Sequence, residues 1–190
     1  IDGMFRGHPK FTVGSLKMRF SQLDRILALE KGSSITAVKC LTLSEDYLQD
    51  HFPRFPVMPG VMMLESMFQT SMWLVRSSHD FQYSSVVLRE TKSLKFQGFV
   101  QPGDSLKVDA EIKKVDGSLT SLKVVGTVNG TPATSGRLVL DTFNLADRGD
   151  VDPAIDDYMK HKFRTNFKWL FNQLGDEGAS PGVGATLATS

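Results

Sequence analysis

Cysteine is almost absent from this sequence: Cys40 is the only one in 190 residues. That excludes an intrachain disulfide and any cysteine-rich metal site, and it is compatible with a reducing compartment. A charge of one sign is missing too. The 22 Lys and Arg against 21 Asp and Glu leave a net charge of +1, so no bulk attraction to nucleic acid or to an anionic membrane is expected. No stretch reaches the ~18 uninterrupted apolar residues of a membrane span. Residues 1–20 open on IDGMFRGHPK and lead into no sustained apolar core of a signal peptide. A cytoplasmic location is the resulting expectation.

What is present suffices for a core. The chain is 41% hydrophobic and 23% charged, which suits one globular domain with an appendage. Residues 23–30 (LDRILALE) read as a short helix running into a strand, and 35–43 as extended. Residues 61–76 predict a helix with apolar side chains on every face, hence a buried one. Period two then takes over. In 105–115, Leu106, Val108, Ala110 and Ile112 alternate with Lys107, Asp109, Glu111 and Lys113, the pattern of a strand with one wet face. Asp116-Gly117 and Asn129-Gly130 are hairpin signals between successive strands. The expectation is an α+β domain over 1–150, its antiparallel sheet wrapped around the buried helix.

Residues 152–174 predict a second helix, capped by Asp152, with Pro153 in its first turn and Gly175 at its end. Its stripe of Ile155, Met159, Phe163, Phe167, Phe171 and Leu174 should pack on the sheet or at a dimer contact. Lys160, Lys162, Arg164 and Lys168 form the rest of its surface. Residues 151–174 are therefore expected to be an amphipathic addition, and 175–190 a flexible tail. Cys40 reads as a small core residue, and His8, His79 and His161 as surface residues.

The chemistry concentrates in residues 50–69, DHFPRFPVMPGVMMLESMFQ. Pro53, Pro56 and Pro59 stiffen the segment that carries His51. Glu65 is the only ionisable residue among 61–75, of which ten are apolar. A carboxyl group deprived of water tends to keep its proton, and a neutral carboxylic acid is a usable general acid. Gly60 opens the helix, and the N–H of Gly60 or Val61 can hold a carbonyl oxygen as it gains charge. A loop histidine as base, a buried acid and an oxyanion site together suggest proton abstraction beside a carbonyl, with loss of a group one carbon further on.

The string His51-Phe52-Pro53, then Pro56-Val57-Met58-Pro59-Gly60-Val61, then Glu65 and Gln69 resembles the signature of the β-hydroxyacyl-acyl carrier protein dehydratases of fatty acid synthesis. Asp24-Arg25-Ile26-Leu27, Lys95-Phe96 and Pro102-Gly103-Asp104 extend the similarity over about residues 18–141. The resemblance implies a hot-dog fold and a homodimer, with higher oligomers open, whose two active sites are shared. There His51 of one protomer takes the α-proton, and Glu65 of the other protonates the leaving hydroxyl. Gly60 holds the thioester carbonyl, and Val61, Gln69, Phe52, Met58 and Phe68 line the substrate site. The implied substrate is a (3R)-hydroxyacyl thioester of acyl carrier protein, or of coenzyme A, and the product a trans-2-enoyl thioester. No metal or redox cofactor is implied.

Four departures stand out. Asp50 and Arg54 replace the glycines flanking the family's H-F-P, and either pair with one another or, through Asp50, alter His51. Phe68 replaces an alanine, which would shorten an acyl slot. Gln97-Gly98-Phe99 replaces an arginine-rich stretch. Asp50, Arg54 and Phe68 motivate one alternative, a silent acyl-thioester or carrier-protein binding module; a hot-dog thioesterase, sharing the implied fold, is another.

Overall fold

The structure is a computed structural model in which residues 21–52, 54–149 and 151–171 are described. Strands β1 (Arg25–Glu30) and β2 (Ser34–Cys40) precede a one-turn helix α1 (Tyr47–Asp50) and the long helix α2 (Gly60–Ser78). Then come β3 (Ser85–Phe96), β4 (Ser105–Asp116), β5 (Leu119–Val128), β6 (Thr131–Phe143) and α3 (Pro153–Leu170). The six strands form one sheet in the order β1-β2-β4-β5-β6-β3, every neighbouring pair antiparallel. Strand β3 leaves α2, crosses to the far edge and pairs with β6, so the sheet curls around the helix, which touches β2 to β6. This is the expected α+β hot-dog arrangement.

Alternation in the sequence becomes a core. Leu106 and Val108 of β4, Leu122 and Val124 of β5, and Leu138 and Leu140 of β6 turn inward onto α2 and are fully buried. Met67, Trp73 and Leu74 meet them from the helix. Both hairpins form. Asn129 and Gly130 take φ of 50° and 80°, the left-handed pair that a tight two-residue turn needs. The other turn falls on Gly117-Ser118, one residue later than the dipeptide suggests, because Asp116 still pairs with Leu119.

Several expectations are corrected. Residues 23–24 are not helical: β1 starts at Arg25, and the Asp24 carboxylate accepts the Cys40 N–H at 2.6 Å, competing with any helical turn there. Cys40 is exposed, at the end of β2, and not a core residue. Helix α3 starts as expected, with Asp152 accepting from the Ala154 N–H at 2.9 Å, but it ends at Leu170. Leu174, Gly175, the tail and His8 lie outside the described residues. Among the stripe residues, Phe163 and Phe167 pack on Trp73 of α2 at 5.8 and 5.9 Å between ring centroids, whereas Ile155 is 45% exposed.

The buried Asp156 ties α3 to the domain. Its two carboxylate oxygens accept the N–H groups of Leu145 and Ala146 at 2.9 and 3.1 Å. No described helix is long and apolar enough to cross a membrane.

Candidate active site

The two ends of α2 differ. From Thr70 to Ser77 it is buried on all sides, as its composition predicts, but the first turns emerge. Val61 is 71% exposed, and Gly60, Met62, Leu64 and Glu65 are half-buried. Pro59 caps the helix from outside, and its carbonyl accepts the N–H groups of Met62 and Met63 at 2.9 and 3.2 Å. The N–H groups of Gly60 and Val61 lie ahead of any helical acceptor, as the first donors of a helix do, and carry its partial positive charge.

Val61, Glu65 and Gln69 follow one another at intervals of four, on one helical face. Glu65 accepts a hydrogen bond from Gln69 Nε2 at 2.8 Å. Gln69 is buried, and its Oε1 accepts the backbone N–H of Gln22 at 2.9 Å. A backbone N–H can only donate, so Gln22 fixes which end of the Gln69 amide faces Glu65. Sequence reasoning missed Gln22, because this bond joins segments far apart in the chain. Phe68, beside this stripe, is half-buried and packs against the core.

His51 ends α1, and its N–H donates to the Tyr47 carbonyl at 3.2 Å. Its half-buried ring meets the Phe52 ring edge-on, with centroids 4.5 Å apart. Phe52 has φ of +50°, a left-handed backbone rare for a bulky residue and one that costs energy. The left-handed position therefore falls on Phe52 rather than on Asp50 or Arg54, where the family has glycine. Among the described residues no ion pair joins Asp50 to Arg54, and no hydrogen bond or ion pair joins His51 to Glu65 within this chain.

The loop is held to the segment between β3 and β4. Met58, 2% exposed, packs in the core, and its N–H donates to the Val100 carbonyl at 2.9 Å. Phe55 meets Phe99 edge-on at 5.5 Å. Phe96 closes on the helix start: a Cβ added to Gly60 would lie 3.2 Å from Phe96 Cε2. Phe96 entered the sequence reading only as part of a flanking similarity. The sheet register that brings it to Gly60 has no local signal.

Comparison with known proteins bears on the family and the fold. The family model of the FabA-like domain matches residues 15–142. A 3-hydroxyacyl-[acyl-carrier-protein] dehydratase FabZ of Levilactobacillus brevis is 37% identical over 128 residues, 67% of this chain and 84% of that protein. The FabZ of Listeria monocytogenes is 35% identical over 111 residues, 58% of this chain and 77% of the relative. Among solved structures, the dehydratase heterocomplex ApeI:P from Xenorhabdus doucetiae superposes with a TM-score of 0.55 at 17% identity, covering 66% of this chain and 85% of that one. A mutant thioesterase from Pseudomonas aeruginosa gives 0.52 at 14%, covering 64% and 81%. At such identities the likeness is one of fold, and it shows that dehydratases and thioesterases share this architecture. The match over residues 15–142, with a relative 37% identical across 67% of this chain, places the chain in the FabA-like domain family.

Proposed function

We propose that this protein is a 3-hydroxyacyl-[acyl-carrier-protein] dehydratase, working as a homodimer in which His51 of one protomer and Glu65 of the other act on one substrate. The observation that carries the reading is the Val61-Glu65-Gln69 face of α2: an anchored carboxyl group stands one turn beyond the free N–H groups of Gly60 and Val61. A thioester carbonyl bound at those N–H groups acidifies its α-carbon, because the charge that develops on oxygen meets donors already aimed at it. His51 then takes the α-proton, the β-carbon–oxygen bond breaks, and Glu65 supplies a proton to the departing hydroxyl. Water leaves, and the new double bond is conjugated with the thioester. Phe52, Met58 and Phe68 wall the acyl chain, with Phe68 limiting its length.

A shared site fits the lack of a His51–Glu65 hydrogen bond or ion pair among the described residues of one chain. Edge strand β3, together with exposed Phe52, Phe55, Val61, Phe96 and Phe99, offers a second copy both an open strand and apolar surface.

The test follows enoyl absorbance with a 3-hydroxybutyryl thioester on carrier protein. Wild type turns over, and His51→Ala and Glu65→Gln do not. Dimers formed by mixing the two variants keep one intact site and regain activity. Wild type that binds acyl carrier protein without turnover would sink the enzymatic reading. Failure of the mixed dimers alone would sink the shared site.

A further inference from the structure

Helix α3 lies beyond the matched residues 15–142, and it forms one wall of a cleft that the dehydratase reading does not use. The cleft, open to solvent, offers about 830 Å³ between α3, the turn after β1 and the segment following α2. That is within the size of small-molecule sites, roughly 300–1,000 Å³. Glu65 lies about 20 Å from Ser78, the last residue of α2, at 1.5 Å per residue, so the cleft is remote from Glu65.

Floor and rim have opposite character. The floor is apolar: Leu29 of β1, Phe81, Phe167 and Phe171. Phe81 and Phe167 stand 5.3 Å apart and Phe167 and Phe171 5.5 Å, between ring centroids. The rim is cationic. Arg164 and Lys168 are one turn apart on α3, so their side chains are neighbours, and both are exposed. Arg164 gives one N–H to the Asp80 carbonyl at 2.8 Å and retains four others. Lys168 makes no ion pair among the described residues. Lys31 is already joined to the Asp80 carboxylate at 2.7 Å.

We propose that this cleft binds a long-chain fatty carboxylate, its head group between Arg164 and Lys168 and its alkyl chain along Phe167, Phe171 and Leu29. A guanidinium takes a planar carboxylate in two parallel hydrogen bonds. Asp80 stands beside this position, its carbonyl held by Arg164 and its carboxylate by Lys31, and it repels a phosphate dianion more strongly than a head of single negative charge. A bound chain would touch α3, β1 and the segment following α2 together, and so would also stabilise α3 against the domain.

The experiment titrates the full chain with dodecanoate below its micellar concentration, by calorimetry and by thermal unfolding. Dodecanol and dodecyl phosphate serve as comparison probes. Dodecanoate is expected to bind one site per chain and raise Tm. The Arg164→Gln/Lys168→Gln variant should bind at least about tenfold more weakly, since two charge-assisted contacts are lost, and should keep wild-type turnover. Unchanged affinity in that variant, or displacement of dodecanoate by a crotonyl thioester, would overturn the proposal by placing the chain in the acyl slot. Equal binding of dodecanol, or tighter binding of dodecyl phosphate, would overturn the head-group assignment. None of these readings depends on the enzyme being active: an inactive wild type refutes the dehydratase function and leaves the binding result intact.

Discussion

Gln69 bridges Glu65 to the backbone of Gln22: its Nε2 donates to Glu65 Oε1 at 2.8 Å while its Oε1 accepts the Gln22 N–H at 2.9 Å. In the proposed mechanism the bridge occupies Oε1 and leaves Oε2 to carry the proton. It also couples the site to residues outside α2, so the acid is held by the fold and not by its own helix alone.

Gln69→Leu should therefore lower kcat by about 10- to 100-fold with KM nearly unchanged, since a misaligned catalytic group costs that much without loosening binding. The same change strands the buried Gln22 N–H and should cost about 1–3 kcal/mol of stability. Steady-state kinetics and urea unfolding of one preparation separate the two effects. A rise in KM at constant kcat would instead make Gln69 a substrate-binding group.

Phe96 leaves Gly60 no room for a side chain. The Cβ of Gly60→Ala would meet the ring at 3.2–3.3 Å, tighter than an ordinary contact but against a ring that is half exposed and can move. Alanine also suits a helix better than glycine, by about 0.5–1 kcal/mol. Thermal stability should thus hold, while turnover falls about tenfold as the ring shifts over the N–H groups. Phe96→Leu in the same chain should recover part of that loss. A Gly60→Ala enzyme with full activity would show that Phe96 does not confine the helix start.

The lines of this site that were readable in the sequence are those in which neighbours along the chain decide. The apolar run of α2 marks a buried helix, and Glu65, its single ionisable residue before Arg76, falls where the helix emerges from the core. The Leu106–Ile112 alternation marks a strand with one wet face, and Asn129-Gly130 marks a turn. What could not be read depends on register or on distant segments: Gln22 at Gln69, Phe96 at Gly60, and α3 on Trp73 of α2 as well as on β1. The misreading of residues 23–24 has a local cause, because LDRILALE satisfies helical and extended patterns alike until the Asp24 carboxylate takes the Cys40 N–H.

Asp156 makes the seating of α3 pH-dependent. The Ser84 hydroxyl holds its carboxyl below the usual Asp range, helped by the N–H groups of Ala146 and Leu145 and opposed by burial. A depressed value stabilises the fold above the ordinary Asp pKa of about 4 and loses that contribution as pH falls through the lower, folded value. Trp73, buried under Phe163 and Phe167, reports undocking as a red shift in its fluorescence. In wild type the shift should begin only below about pH 4. In Asp156→Asn it should be present at neutral pH. Identical pH profiles for the two proteins would show that the carboxylate does not hold α3.

Arg76 locks α2, α3 and the start of β3 together from inside. It is 3% exposed, and burial pulls its guanidinium down to about 9 from the usual arginine value. Burying the cation thus costs stability at neutral pH, where the group stays charged, and that cost would fade only as pH rises above about 9. The offset comes from geometry. Nη1 and Nη2 donate to the carbonyls of Tyr83 and Ser84 at 3.0 and 3.1 Å, and the guanidinium lies 3.6 Å from the centroid of the Phe163 ring. Lysine cannot reproduce this. Its ammonium is a point charge, more strongly hydrated, and cannot reach two carbonyls while lying flat on a ring. Arg76→Lys should destabilise the protein by about 2–4 kcal/mol, in the range of a buried charge left short of partners. Combining Arg76→Lys with Phe163→Leu should show a coupling of about 1–2 kcal/mol, the size of a desolvated cation–π contact. Additive losses in urea unfolding would mean that the ring and the guanidinium are neighbours without interacting, and that the two carbonyls alone hold Arg76 in place.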